Sequence, residues 1–583
     1  FYLHQKTRMI KINRLYSEPE IFNPISFDFG VNIIMGEKSE KTNKKIGVGK
    51  SVCIEFINFC LLKRISDSRL NLIPKKNTDI IDSQIKLDFE FNNKRIIISR
   101  SIGNPEQISI QINDEHIHFE KLDDASEYLG NLYFKEYPAN TKRLSFRNLL
   151  QPIIRDERSE FKDLIKCFDT NKSVPSDYSP HLFFLNVGLQ KYTEIKSLNE
   201  NLKKKNTFYS EIKKLVTNNN EIKIQDAKAH LNELESEVGK VNKAIENLKT
   251  YESFELIQED LVKLETKLSD LRTKQQAIKF EIKQIDSFPK PENINENEIQ
   301  IIFNQFKQGL GDLVEKSLED LKKFKNKIDG FRNSIVNDRL TILKSELSEI
   351  NSIVRKLDEE YSEKLSLLDN GEVLKDLKTS IRIFNEKNSE LNNLRSLIQK
   401  YDESERGKKI LEAEKAVLIS DLEEELYKNQ ETLKSFKESI LSIHERIMGN
   451  REAHFEIKTT KNQNVVDFIM RTDDDGSHST ERMKVFIYDI SLMLNEHTRK
   501  NHPRFLIHDN IFEDDDSIEK SLNFLFEYNN KTPNEFQYIV TLNSDLIESA
   551  SRNGKLAFKV DNLKRASFTK DNSFLGMKYN ETK

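Results

Sequence analysis

The chain has 583 residues, too many for one ordinary domain. Its 32 % charged against 37 % hydrophobic residues, its lack of Trp and its low Gly (17) and Pro (12) favour long helices over a purely globular core. A net charge of −4 excludes a global positive field that would draw nucleic acid, so any DNA contact must come from local patches. No stretch approaches the ~18 apolar residues of a membrane span, no signal peptide is visible, and Cys53, Cys60 and Cys167 form neither a CxxC pair nor a zinc spacing; the expectation is a cytoplasmic protein with no membrane partner.

The chain opens on Phe1 rather than Met, so its natural start is expected to be missing or altered. Two short strands are predicted first, Met9–Ile12 and Val31–Met35. A glycine-bearing segment over 36–51 follows, then a helix over Ser51–Leu62 with Val52, Phe56, Phe59 and Leu62 on one stripe. Strand, loop and helix in that order are the setting a phosphate-binding loop needs. Residues 84–119 alternate apolar and polar, with turn residues at Asn92-Asn93 and Asn113-Asp114, and predict an antiparallel meander.

From residue 188 the period changes. Leu231, Leu234, Val238, Val241, Ile245 and Leu248 are spaced three and four apart, and after a phase slip the spacing resumes from Phe254 through Ile285. Sustained heptads predict a coiled coil rather than the surface helix of a globular bundle. The expected layout is an outgoing arm over 188–288, an apex turn over 289–312 that begins at Pro289 and Pro291, and a returning arm over 313–448. An outgoing arm of about 95 continuous residues would reach ~140 Å. The longer returning side needs a loop or local hairpin, placed at Asp369-Asn370-Gly371. After Gly449 the strand signal returns at Phe455–Lys458 and Val465–Ile469, then a helix over 481–498, a strand over Phe505–His508, a helix over 517–529 and a strand over Gln537–Leu542. That alternation predicts a parallel sheet. Residues 1–187 and 449–583 are thus expected to form one α/β head, a split P-loop NTPase, interrupted by a long antiparallel coiled-coil insertion.

Gly47-Val48-Gly49-Lys50-Ser51 carries the chemistry of a phosphate loop. Its glycines let the backbone curl so that N–H groups converge on an anion. Lys50 supplies charge to the terminal phosphates, and the Ser51 hydroxyl is a ligand for Mg²⁺. The glycine ending the strand is Gly36, and residues 37–46 read as an insertion within the loop. Phe505-Leu506-Ile507-His508-Asp509 is a strand that delivers an acid, Asp509, as a second Mg²⁺ ligand, with His508 packed beside the sheet. Asn510 follows; a neutral amide orients a water but cannot take its proton. Glu513, Asp514, Asp515 and Asp516 are either a solvated loop or the source of a substitute acid, with Glu513 the first choice. Gly476, Ser477 and Ser479 form a Gly/Ser turn before a helix, a γ-phosphate receiver or a plain N-cap. Gln151 is either a contact to Mg²⁺ and water or an ordinary polar residue, and Asn543 closes the last core strand. Lys142, Arg143 and the run Lys203-Lys204-Lys205 are candidate contacts for DNA phosphates, against the alternative of solvated faces. No second hydrolytic constellation is present, so no nuclease activity of its own is expected.

Together the expanded loop ending at Ser51, the run Phe505–Asp509, the strand Gln537–Asn543 and the segment from Val314 through Leu318 resemble the SMC/RecN-type ABC ATPases. Within that group the chain is most similar to the compact coiled-coil ATPases of prokaryotic three-component, Lamassu-like anti-phage systems. The resemblance implies an ABC-type head with ATP and Mg²⁺ as cofactors. It implies a homodimer through the heads, two ATP molecules lying between Lys50 of one subunit and Ser477 of the other. It places Gln151 at Mg²⁺ and water, and Asn543 where such heads carry a switch histidine. Asn510 stands where they carry the water-polarising Glu, which implies slow hydrolysis. It further implies sensing of double-stranded DNA or DNA ends, with control of a partner effector such as a nuclease alongside accessory subunits. The alternatives are a RecN-like repair or chromosome-maintenance ATPase, and a structural clamp that binds ATP without hydrolysing it.

Overall fold

A computed structural model describes residues 8–37, 48–73, 77–134, 144–167, 169–172, 174–249, 255–287, 339–364, 372–462, 464–472, 476, 478–552 and 555–576. The chain divides into two compact units, Phe1–Asn199 with Lys415–Lys583, and Glu200–Glu414.

In the first unit the strands are β1 (Ile10–Glu18), β2 (Ile25–Ser26), β3 (Gly30–Gly36), β4 (Gln84–Phe91), β5 (Lys94–Arg100), β6 (Ile108–Ile112), β7 (Glu115–Phe119), β8 (Ile154–Arg155), β9 (Ala453–Thr459), β10 (Val466–Thr472), β11 (Phe505–Asp509), β12 (Gln537–Asn543) and β13 (Lys564–Phe568). One antiparallel sheet has the order β2-β1-β4-β5-β6-β7. Its alternating residues turn Ile10, Ile12 and Leu15 of β1 and Ile85, Leu87 and Phe89 of β4 into the core. The expected meander is present, and its tight turns are where the asparagines fall: Asn92 and Asn93 both sit at left-handed φ (51° and 60°), as does Asn113 (53°). β9 and β10 form a separate antiparallel pair.

A five-stranded sheet has the order β13-β3-β12-β11-β8, and every neighbouring pair in it is parallel. Its central strands are near-continuous apolar runs because helices cover both faces. Helix α1 (Lys50–Cys60) packs its buried Cys53, Ile54, Phe56, Ile57, Phe59 and Cys60 into the same core. β12 lies between β3 and β11, and its register pairs Asn543 with Gly36 and Thr541 with Asp509. The two halves of the chain therefore end their strands along one edge, the carboxyl edge where open α/β sheets place their ligands.

The second unit is helical. Helix α2 (Leu189–Val216) is followed by a left-handed stretch at Asn218, Asn219 and Asn220, then α3 (Ile224–Lys249), α4 (Glu255–Ser287), α5 (residues 339–364) and α6 (Glu372–Lys428). Contacts fix the direction of each. Lys228–Asp402, Arg395–Glu235 and Lys387–Glu237 run α3 against α6. Lys364–Asp260, Arg272–Asp358 and Arg339–Glu281 run α4 against α5. Asn388 bonds Ser269, and Lys400 lies 3.7 Å from the centre of the Phe280 ring, so α4 runs alongside α6 in the same direction. The 26-residue α3 and the 33-residue α4 consequently point opposite ways. Ile245 (α3), Leu261, Leu264 and Leu268 (α4), Val354 and Tyr361 (α5) and Ile381 (α6) share one apolar core.

The expected continuous rise of ~140 Å is corrected on this point, since helices of this length span about 40–50 Å each. The heptads are there, but they line the seams of a four-helix bundle, and the phase slip after Leu248 marks a reversal of direction. α5 and α6 likewise run in opposite directions, as a local hairpin between them requires. Asp369-Asn370-Gly371, the proposed apex over 289–312 and the segment Val314–Leu318 lie outside the described residues.

Candidate functional site

β3 ends at Gly36, and α1 begins at Lys50. Gly47 lies outside the described residues, while Val48 is buried and Gly49 caps α1 with φ +101°. Gly49 is required twice over: an L side chain resists that φ, and a Cβ there would lie 2.6 Å from the Cβ of Phe574. The Phe574 backbone N–H also donates to Val48 O at 3.1 Å, so the chain's C-terminal segment lies against the loop. A Cβ on Gly36 would stand 3.0–3.2 Å from Cδ, Cε and Nζ of Lys50. The lysine thus lies back over Gly36, and its Nζ donates to Leu542 O at 3.0 Å and to Asn543 Oδ1. That contact joins residues 492 positions apart and is a direct consequence of β12 sitting next to β3.

Asp509, the last residue of β11, is 1 % exposed. Burial pushes its carboxyl above the usual range, against hydrogen bonding from Thr541 and Ser51 and the charge of Arg69; Glu157 pushes the same way as burial. Thr541 Oγ1 donates to Oδ1 at 2.6 Å, whereas the buried Oδ2 has no hydrogen-bond partner among the described residues. A carboxylate with one orphaned oxygen, beside a serine in the first turn of a helix, fits a small hard cation such as Mg²⁺. Among the described residues no three His, Cys, Asp or Glu side chains converge into a protein-only cage, so such a cation would draw further ligands from phosphate and water.

Asn510 adopts a left-handed φ of 63°, and its Nδ2 donates to Glu157 Oε1 at 3.3 Å. Its carbonyl accepts from Arg482 at 2.8 Å. The acidic run that follows is occupied in holding structure. Glu513 pairs with Arg482 at 3.0 Å, Asp514 caps the helix Asp515–Lys531 through Ser517 N, Asp515 accepts from Ser549, and Asp516 pairs with Lys520. Ser479, in the first turn of the helix His478–Leu494, donates to Asp514 Oδ2 at 3.0 Å. Gly476 is exposed with φ +111°, and Ser477 lies outside the described residues.

Gln151 is not brought to Asp509. Parallel pairing sets Ile154 beside Ile507 and Arg155 beside His508, so Gln151 precedes β8 at the end of the sheet away from Asp509. It lines instead a cleft of about 470 Å³ with Asn58, Lys63, Arg147 and Arg158. Lys203, Lys204 and Lys205 are exposed on α2 in the helical unit; Lys142 and Arg143 lie outside the described residues.

Behind the site, Arg155 binds Asp489 through Nη2 at 2.8 Å, and Asp489 meets His508 Nε2 at 3.1 Å. His508 Nδ1 faces the Tyr538 hydroxyl at 3.2 Å. His508 is fully buried beside the sheet, and burial lowers its imidazole despite Asp489. Sequence reasoning missed Glu157, Arg69 and Thr541. Thr541 was legible as the polar residue in the apolar strand Gln537–Leu542, but Glu157 follows a two-residue strand that leaves no pattern.

Comparison with known proteins adds the following. Residues 443–579 match a family described as an uncharacterised protein conserved in bacteria, DUF2326. Over 597 aligned residues the chain is 24 % identical to the uncharacterized protein YydD of Bacillus subtilis (strain 168), covering 93 % of this chain and 95 % of that one. Among solved structures it is similar to the Smc head domain with a coiled coil and joint from Pyrococcus yayanosii, with 14 % identity, a TM-score of 0.31 and 93 % of each chain covered. It is also similar to the Smc head domain with an extended coiled coil bound to the C-terminal domain of ScpA from Pyrococcus furiosus, with 11 % identity, a TM-score of 0.32 and 93 % and 92 % of the two chains covered.

Proposed function

We propose that this chain is an SMC-like, Mg²⁺-dependent ATPase that senses DNA and controls the effector of an anti-phage or anti-plasmid defence complex. The observation that supports the ATPase part is the meeting of Lys50 and Ser51 from one half of the chain with Asp509, Thr541 and Asn543 from the other. The defence, DNA and effector parts rest on the resemblance to Lamassu-like ATPases.

In this proposal Ser51 and Asp509 would hold Mg²⁺, which would supply positive charge against the phosphates. The N-terminal amides of α1 and the Lys50 ammonium cradle the phosphates. Asn543 holds Lys50 in place until phosphate competes for it. Thr541 fixes one oxygen of Asp509 and leaves the other for the cation. The turn at Gly476–Ser479 serves the nucleotide of a partner head, so ATP joins two heads and changes what they present to DNA and to the effector.

Lys50→Ala tests the proposal. It should abolish MgATP binding and, in cells carrying the chain with its neighbouring genes, lower protection against phage to background. Full protection by that variant contradicts a defence role that depends on this site, absence of protection by the wild-type chain contradicts the defence role itself, and undiminished MgATP binding contradicts the site.

A further inference from the structure

In P-loop ATPases a side chain positions the attacking water or takes its proton, and the residue after Asp509 is an amide, which can only position it. The β8–β11 register continues beyond the strands: with Arg155 beside His508, the chain after β8 runs alongside the chain after Asp509. Glu157 arrives next to Asn510, whose side-chain Nδ2 donates to Glu157 Oε1 at 3.3 Å. Arg69 Nη2 stands 3.8 Å from the other carboxylate oxygen. The Glu157 side chain is 47 % exposed and so reaches water. The neighbouring acids are committed elsewhere: Glu55 is buried against Lys63, Arg158 and Ser68, Asp156 is paired with Arg158, and Glu513 with Arg482.

We infer that Glu157 is the water-activating group of the proposed ATPase, a carboxylate supplied from the neighbouring strand and held one hydrogen bond away by Asn510. The inference rests on the ATPase proposal. As the water oxygen bonds to the γ-phosphorus, Glu157 takes one of the water protons. The bond from that phosphorus to the β–γ bridging oxygen breaks, and its electron pair leaves on ADP. The proton then passes from Glu157 to the released phosphate or to solvent. Arg69 and the Asn510 amide hold the carboxylate from two sides.

The test is MgATP turnover by the full chain, with MgATP affinity and thermal melting measured on the same samples. Glu157→Gln should lower kcat about 100-fold, the lower end for loss of a general base, with affinity within about threefold of wild type and an unchanged melt. Glu157→Asp should recover part of the rate, and Glu160→Gln, on the same loop, should turn over like wild type. Wild-type turnover by Glu157→Gln overturns the inference while leaving the ATPase proposal standing. A wild-type protein that binds MgATP but never hydrolyses it overturns the inference and the hydrolytic part of the proposal, and leaves only the nucleotide-binding part. A wild-type protein that does not bind MgATP at all removes the ATPase proposal and this inference with it.

Discussion

Buried groups that must stay neutral set the acid limit of the first unit. His181 and His502 are both enclosed, and burial lowers the His502 imidazole to about 3 and that of His181 well below its ordinary value. An unfolded histidine takes up a proton as pH falls through about 6.5, but the folded His502 does not until about pH 3. Stability is therefore fully present above pH 6.5 and is lost as pH falls through that window, by up to a few kcal/mol at about 1.4 kcal/mol per pH unit. Denaturant midpoints at pH 7.5 and 5 should differ accordingly. His502→Gln, which keeps an acceptor for the Arg504 N–H, should shrink the difference. Gly49 makes the second prediction at this scale. Gly49→Ala forces a Cβ into Phe574 at a φ of +101°, and a loss of about 1–3 kcal/mol should appear in thermal denaturation.

At the level of elements, the turn after β13 lies against Val48 and Gly49 at the start of α1. Phe574 packs against Phe22, Phe56 and Phe568, with ring centroids 4.5, 5.5 and 5.3 Å away, and is 4 % exposed. Phe574→Ala should cost about 3–5 kcal/mol and loosen Val48 beneath it, so MgATP affinity should fall although no group that bonds phosphate has changed. β3, β11 and β12 were legible in the sequence because fully buried parallel strands read as unbroken apolar runs between turn signals. The meander was legible because its period is two and its turns are asparagines. β8 was not, since two residues carry no period, and the loop it aims, with Glu157, was invisible for that reason. Gln151 was chosen for its residue type after the meander, and only the register of β8 against β11 displaces it. Heptads in α3 and α4 named the apolar face of each helix correctly, but a heptad specifies which face is buried and is silent about which way the next helix runs.

For the molecule as a whole, the direction of α4 separates a compact bundle from an extended arm. Ser269 and Asn388 are within hydrogen-bonding distance at 3.4 Å. In a straight arm Asn388 would stay near Glu237, the partner of Lys387, and Ser269 would lie about 48 Å further out at 1.5 Å per residue. A Ser269→Cys/Asn388→Cys chain should form an intramolecular disulfide under mild oxidation, and its background is clean because Cys53, Cys60 and Cys167 are all buried. The fold brings a loop near residue 50 to an acid at residue 509, and the proposed nucleotide site depends on that meeting. Titration of MgATP into the wild-type chain, Lys50→Ala and Asp509→Asn tests it most directly. Mg²⁺-dependent binding by the wild type, weakened at least tenfold by either substitution, is the predicted result. Absence of binding in the wild type, or undiminished binding by Asp509→Asn, would contradict it.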